Sequence, residues 1–285
     1  MKLRKIKIGI IGVGIVGGAI KTGFDAVGHK VSVHDLRLDT KIDDVIDTEV
    51  CFLCVPTPSR EDGSCNTSIV ESVIKELTDL DYSGIVCIKS TVPPGTTERM
   101  QKTFKNKKIC FVPEFLRERA AVQDFMYNHD VCIIGTESKQ IFKVLKTCHG
   151  SLPDKFIHLT EKEAEFCKYF NNVYNATLIT FANSFYEICN SMDVSYANVH
   201  GAMSKREHIS DFYLNCSNEL RGFGGMCLPK DTKALAHLSK MMKTNVDFFS
   251  DIIKENEKYE VTVFDGMRFI LSSFRQIRIL RELSM

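Results

Sequence analysis

The chain carries almost no net charge: 37 Lys and Arg against 36 Asp and Glu leave +1 over 285 residues. Polyanion-binding surfaces need an excess of basic side chains, so neither nucleic acid nor an acidic membrane is expected as partner. No apolar run reaches the length of a membrane span. The opening MKLRKIKIGIIGVG has no small-residue cleavage site and leads straight into a strand and a glycine turn, unlike a secretion signal. The 11 cysteines are odd in number and scattered through apolar segments, so reduced thiols in a cytoplasmic protein are expected rather than a disulfide framework. Cys51 and Cys54 form a CxxC without a second pair or a Cys/His set at ligand spacing, and no metal is expected. Internal repeats and low-complexity segments are absent too. What remains is ordinary globular material, 44% hydrophobic and 26% charged, long enough for two domains.

Against that background the first motif stands out. Ile6 to Ile11 read as a buried strand, followed by Gly12-Val-Gly14-Ile15-Val16-Gly17 and a helix to about Ala26. Lys30 to His34 form the next strand and end on Asp35. This is GxGxxG in the context that gives it meaning. Gly12 permits the tight turn, Gly14 lets a pyrophosphate approach the backbone, and Gly17 lets helix pack on strand. The amides around Ile15 and Val16 open the helix and favour phosphate. Asp35 is placed to accept hydrogen bonds from a ribose, which favours NAD over NADP, although Arg37 lies close by.

Strands and helices then alternate. Strands are expected at Val50–Val55, Ile85–Ile88, Lys108–Val112, Val131–Gly135 and Lys155–Leu159, with a helix at Ile69–Leu77. Polar clusters follow their C-termini, where open α/β sheets bind ligands: Pro56-Thr57-Pro58, Lys89-Ser90-Thr91, and Pro113-Glu114-Phe115-Leu116-Arg117-Glu118. By residue chemistry alone, Glu114 and Glu118 read as a solvated helix start. From Thr160 a helical pattern runs to about Asn190, opening on a capping-box spacing. Lys168 and Asn172 share one face of it, which taken alone is an exposed polar stripe. Further helices are expected at Tyr196–Met203, Asp231–Lys243 and Asn245–Tyr259.

The second motif is Gly222-Phe-Gly224-Gly-Met-Cys227-Leu-Pro-Lys230-Asp231. A thiolate is a strong nucleophile, an ammonium nearby favours it, and glycines let a backbone approach a ligand. Joined to a dinucleotide site, this cysteine suggests hydride chemistry with a covalent sulfur intermediate.

These segments together resemble the UDP-glucose/GDP-mannose dehydrogenase family. The matching stretches come in family order: GIIGVGIVGG, FLCVPTP, KSTVPPGTT, PEFLRERAAVQDF, EAEFCKYFNNVYNATLITFAN and GFGGMCLPKDTKAL. The resemblance implies an α/β fold. A Rossmann-like doubly wound parallel sheet over residues 1–160 would bind NAD, and an all-α central domain over 161–260 would carry Cys227 and pair with its twin in a homodimer. It implies oxidation of a nucleotide-sugar C6 alcohol to the carboxylate, UDP-glucose to UDP-glucuronate being the expected case, for polysaccharide biosynthesis. Cys227 would be the nucleophile, passing through a thiohemiacetal and a thioester. Lys168 and Asn172 would steady the oxygen, Asp231 would move protons, Glu114 would activate the hydrolytic water, and Thr91 would lie near the nicotinamide. Val55, Pro56, Thr57, Ser90, Glu118 and Lys230 would join the cofactor set. Phe115, Leu116, Arg117, Tyr213, Asn215 and Gly224 would join Glu114, Lys168, Asn172 and Cys227 around the substrate.

The chain also departs from the family pattern. Members continue for about another hundred residues into a second Rossmann-like domain, whereas here residues 261–285 read as a short amphipathic tail with Arg268, Arg275, Arg278 and Arg281. His208-Ile209-Ser210 replaces an Arg-Ile-Gly, and Asn218–Arg221 reads as a short insertion. Two other functions therefore stay open. One is a catalytically incomplete NAD-binding relative that needs a partner subunit. The other is a dehydrogenase for a smaller hydroxy substrate, which would use the helix lysine without needing Cys227.

Overall fold

The computed structural model describes residues 4–259; the expected tail, with its four arginines, lies outside them. The described chain divides into two units, each treated by itself below. One comprises the residues up to Arg60 together with Cys65–Lys168, the other Glu61–Ser64 together with the residues from Tyr169 onward.

The first unit is a seven-stranded sheet of β1 (Lys7–Ile11), β2 (Lys30–His34), β3 (Val50–Leu53), β4 (Ile85–Ile88), β5 (Ile109–Phe111), β6 (Val131–Gly135) and β7 (Lys155–Leu159). Their spatial order is β2-β1-β3-β4-β5-β6-β7. Every pairing is parallel except β5 with β6, which meet antiparallel through Phe111 and Gly135 alone. Between strands run α1 (Ile15–Val27), α2 (Ser68–Asp79), α3 (Thr96–Thr103), α4 (Ala121–Tyr127) and α5 (Lys139–His149), with short 3-10 turns at Ile42–Val45 and Glu118–Ala120.

The inner strands β3, β4 and β5 are apolar throughout because both faces are covered, whereas the edge strands β2 and β7 carry Lys, Ser and His and stay partly exposed. Alternate residues feed two cores. Ile8, Ile10, Val50, Phe52 and Cys87 pack with Phe24 of α1, Phe125 of α4 and Leu145 of α5. Ile11, Cys51, Leu53, Val86 and Ile88 pack with Val70 and Ile74 of α2 and Met100 of α3. Cys51 thus serves as a small core hydrophobe, and burial pushes its thiol far up. All 11 cysteines are free.

The second unit is helical, built from α7 (Tyr196–Met203), α8 (Leu228–Met241), α9 (Phe248–Asn256) and the greater part of α6 (Glu161–Ser191), whose first turns belong to the sheet unit. Among the described residues no helix is long and apolar enough to cross a membrane. Helix α8 begins three residues earlier than expected because Pro229 suits the first turn, and this makes Cys227 its N-cap. Lys243 and Asn245, both left-handed at φ 54 and 55, end it, so α9 starts at Phe248 rather than Asn245.

Helices α1 and α4 are in contact at Gly23, where an added Cβ would lie 2.4 Å from Cδ1 and Cε1 of Phe125. Gly23→Ala is therefore expected to destabilise the sheet unit by about 1–3 kcal/mol through overpacking. Urea unfolding checks this as a lower midpoint at unchanged slope.

Candidate functional site

The strand order reverses beside β1, and ligands of open α/β sheets bind outside the strand C-termini at such a switch point. The dinucleotide motif lies there. Gly12 has φ 89, and a Cβ on it would meet Cys54 O at 2.6 Å. A Cβ on Gly17 would fall 1.9 Å from Gly12 O, so both positions demand glycine for the fold itself. Gly14 differs, since nothing lies within 4 Å of the position its Cβ would take. It caps α1 without a side chain, and no acidic residue occupies the first turn. The amides leading into Ile15 and Val16 thus keep a positive helix end suited to a pyrophosphate. These residues fit the dinucleotide that the sequence implies.

Asp35 is buried at the end of β2 and accepts the Val13 N–H at 2.6 Å, bracing the glycine turn. Arg37 holds it by two side-chain hydrogen bonds of 2.9 Å, keeping the carboxyl far below the usual carboxylate range. Hydroxyls tie the ends of β3 and β4 together. Ser90 Oγ donates to Val55 O at 2.7 Å, and Thr57 Oγ1 donates to Thr91 O at 2.8 Å. Pro56 joins these two anchors.

Beyond β5, Glu114 is not the solvated helix start that its type suggested. Its side chain is 9% exposed, and Oε1 accepts Lys168 Nζ at 2.9 Å while Oε2 accepts the Leu116 N–H at 2.7 Å. Lys168 also donates to Glu114 O at 2.7 Å and lies 5.9 Å from the Phe115 ring centroid. Its side chain is 4% exposed. A polar stripe on α6 is thereby excluded for this residue: a buried ammonium of this kind needs its partner. Arg117 forms a fork on buried Asp124, whose carboxyl it lowers to about 2. Glu118 opens the 3-10 turn, half-buried.

In the helical unit Asn172 is buried too, and its Nδ2 donates to Asp231 Oδ2 at 2.5 Å. Lys230 Nζ takes the other oxygen of Asp231 at 2.5 Å. The ammonium expected to favour the Cys227 thiolate is therefore committed to a carboxylate. Cys227 itself is half-buried and stands at the positive N-terminal end of α8, without a side-chain cap hydrogen bond. Leading into it, Gly225 has φ 78, and Gly222 lets α9 approach, with Asn256 Oδ1 3.1 Å from where a Cβ would stand. Gly224 lies between them, half-buried. Tyr213 is half-buried at φ 63 and Asn215 is exposed, on either side of Leu214, whose carbonyl accepts Tyr196 Oη at 2.7 Å.

The sequence reading missed several buried polar groups that hold these parts in place. Asn256 mimics a backbone strand, accepting the Phe223 N–H at 2.7 Å and donating to Phe223 O at 2.9 Å. Arg221 lies between the Tyr186 and Tyr259 rings and donates to Asn183 Oδ1 at 2.8 Å. Glu161 and Glu165 on α6 and Lys89 after β4 are all buried. The only advance signal was polar residues at apolar positions of a helix or strand end.

The two glycines of the turn separate fold from ligand. Gly17→Ala is expected to cost stability and cofactor binding together. Gly14→Ala should leave the melting temperature within about 2 °C yet weaken dinucleotide affinity roughly tenfold or more. Thermal unfolding and NADH fluorescence titration of both variants check this.

Comparison with known proteins gives the family. Residues 34–152 match the UDP-glucose/GDP-mannose dehydrogenase family, NAD binding domain, and residues 162–258 match the central domain of the same family. A UDP-glucose 6-dehydrogenase of Rickettsia typhi is 31% identical over 222 residues, covering 75% of this chain and 50% of its own. One from Haloferax volcanii is 29% identical, covering 81% and 64%. The structure of a UDP-glucose dehydrogenase from Pyrobaculum islandicum superposes with a TM-score of 0.82 at 26% identity, over 90% of this chain and 69% of that one. The chain spans about half the length of the curated relatives it matches. With its NAD-binding and central domains matched in order, the chain belongs to the UDP-glucose/GDP-mannose dehydrogenase family.

Proposed function

We propose that this protein is an NAD-dependent nucleotide-sugar 6-dehydrogenase that oxidises a C6 alcohol to the carboxylate, with UDP-glucose as substrate. The observation that carries the reading is Cys227 at the N-cap of α8, one turn before a fully buried Asp231 that is hydrogen-bonded to Asn172 and Lys230. A dehydrogenase stopping at the aldehyde or ketone has no use for a thiol so placed.

NAD, when bound, takes up the hydride of each oxidation. The residues do the rest. The first oxidation removes a hydride from C6 and a proton from its hydroxyl, leaving an aldehyde. Cys227 Sγ adds to that carbonyl carbon, and the oxygen takes a proton to give a thiohemiacetal. Loss of a second hydride and the hydroxyl proton gives a thioester. Water adds to the thioester, the C–S bond breaks, and carboxylate and free thiol result. Lys168 and Asn172, one turn apart on α6, donate hydrogen bonds to the oxygen as its charge grows. Glu114, whose charge is compensated by Lys168, takes the proton of the hydrolytic water. Asp231 relays protons through water, and Thr91, Thr57, Ser90 and Glu118 line the cofactor.

We also infer a homodimer. Helix α6 presents Phe170, Tyr174, Phe181, Phe185 and Ile188 outward, with Phe170 75% and Ile188 56% exposed. The spacing follows one seam of a helix, and a contiguous exposed aromatic patch of this kind marks an interaction surface. A symmetric pairing of α6 with its twin would cover it.

Three outcomes are expected. The protein forms two NADH per UDP-glucose consumed, read by absorbance and by the appearance of the acid. Cys227→Ser lowers acid formation by at least about 100-fold while NADH affinity stays within about twofold. Oxidation that survives unchanged in Cys227→Ser would instead favour a smaller hydroxy substrate. Phe181→Glu halves the mass measured by light scattering; an unchanged mass would sink the α6 dimer.

A further inference from the structure

One carboxylate in the first turns of α6 has no role in the chemistry above. Glu165 is 0% exposed. Its Oε2 accepts the Gly95 N–H at 2.5 Å, and its Oε1 accepts the Thr97 N–H at 2.8 Å and the Thr97 hydroxyl at 2.7 Å. These donors open α3, whose cap, Gly95, has φ 91 and no side chain to satisfy the helix's first amides. Glu165 supplies from a neighbouring helix what an N-cap oxygen supplies locally. The segment it grips is the far end of the loop that starts at Thr91. The near end is fixed by Thr57 on Thr91 O. One end of the loop is thus held by the Thr57 hydroxyl and, at 3.6 Å, the Cys65 thiol, and the other by a single carboxylate.

We propose that Glu165 is a positioning residue for the cofactor. Its ionised carboxylate latches the β4–α3 loop, and with it Thr91, in the conformation that receives NAD, and protonation releases the latch and weakens NAD binding. This rests on the cofactor reading and is independent of which sugar is oxidised.

An ionised carboxylate accepts all three bonds, whereas a protonated one turns an acceptor into a donor with no partner on an N–H. Burial pushes Glu165 up to about 7, with Glu98 adding to the rise and the bonds from Thr97 and Gly95 opposing it. The charges around it are few. Glu98 on α3 is paired with Lys162 of α6 at 3.1 Å, and the Lys162 stem lies against Gly95. On its own helix, Glu161 is bonded to Gln101 of α3 and Lys168 to Glu114. Residues 91–97 contain no titratable side chain. The latch therefore opens as pH falls through about 7. Stability runs the other way. A folded-state pKa raised from 4.5 to about 7 means that the folded unit binds the proton more tightly. The group's contribution to stability is then full below the unfolded value and lost as pH rises through the folded one. NAD binding that strengthens with pH while this stabilisation declines separates a latch from general acid unfolding.

The test is NADH fluorescence titration of the full chain between about pH 5.5 and about pH 8.5, in wild type, Glu165→Gln and Thr97→Val. Hydrogen exchange of residues 95–97 is followed in parallel. Wild-type affinity is expected to rise about fivefold or more across the range, with exchange protection rising alongside. Glu165→Gln, which cannot ionise, should give a flat profile near the wild-type low-pH value. Thr97→Val removes one donor to the anion and should move the wild-type midpoint upward. Parallel profiles in wild type and Glu165→Gln, or an unmoved midpoint in Thr97→Val, overturn the latch alone. A wild type that binds no NADH at any pH overturns the cofactor reading and the latch with it.

Discussion

A charge removed from water must be paired or fully hydrogen-bonded, and the first turns of α6 obey that rule three times in eight residues. Glu161 takes Gln101 Nε2 at 2.9 Å, Glu165 takes the amides that open α3, and Lys168 takes the side chain and carbonyl of Glu114. Gln101, Gly95 and Thr97 belong to α3 and its cap beyond β4, Glu114 lies beyond β5, and Glu161 Oε1 also accepts the Glu137 N–H beyond β6 at 3.3 Å. One helix start therefore sets several loops at once, with polar bonds that have a direction as well as an energy. An apolar helix face could cover the same strands, but it would leave the loops free to choose their own geometry.

Polar anchoring of this sort also divides the labour among the glycines. Gly12 and Gly17 serve the chain, because a Cβ on either would collide with backbone, whereas Gly14 meets nothing within 4 Å. Open space at a helix start with no capping side chain is costly for a protein to keep unless a ligand fills it. Around Cys227 the reasoning is similar. Asp231, fully buried, would be an expensive ion without Asn172 and Lys230 on its two oxygens. Those two donors are spent on Asp231, while Cys227 stands at the positive end of α8.

The elements with a strong period were legible in the sequence. Four strands, β2, β4, β6 and β7, begin and end where the apolar runs do, and α6 is displaced by a single residue. Helices α3, α4 and α5 had no bounds in the sequence, and the helix start read at Glu114 and Glu118 lies at Ala121, after a 3-10 turn. Thr96–Thr103 has little apolar content, and its stability comes from Met100 in the core and from Glu165 outside the helix, neither visible as a local pattern. The antiparallel β5–β6 contact was equally hidden, since a single pair leaves no trace in alternation. Among site residues, glycines and the Cys227 segment announced themselves by type. Glu114 and Lys168 did not, because a buried ion pair between residues 54 positions apart reads in sequence as two surface charges.

We propose that the choice between NAD and its 2′-phosphorylated form rests on a charge that the fold keeps ionised. Arg37 beside Asp35 has the chemistry of a phosphate ligand, since guanidinium is the usual partner of a 2′-phosphate. Here it is committed: its Nε and Nη2 both lie 2.9 Å from Asp35 oxygens. The same bonds, with the Val13 amide, hold Asp35 far below the usual carboxylate range, so protonation cannot remove the negative charge near neutral pH. A 2′-phosphate would have to draw Arg37 away and would then face the bare carboxylate. A ribose hydroxyl faces no such repulsion; Asp35 already accepts four hydrogen bonds, so the hydroxyl would replace one Arg37 donor without bringing a second negative charge. The bracing of the glycine turn and the preference for NAD thus come from one ionised side chain.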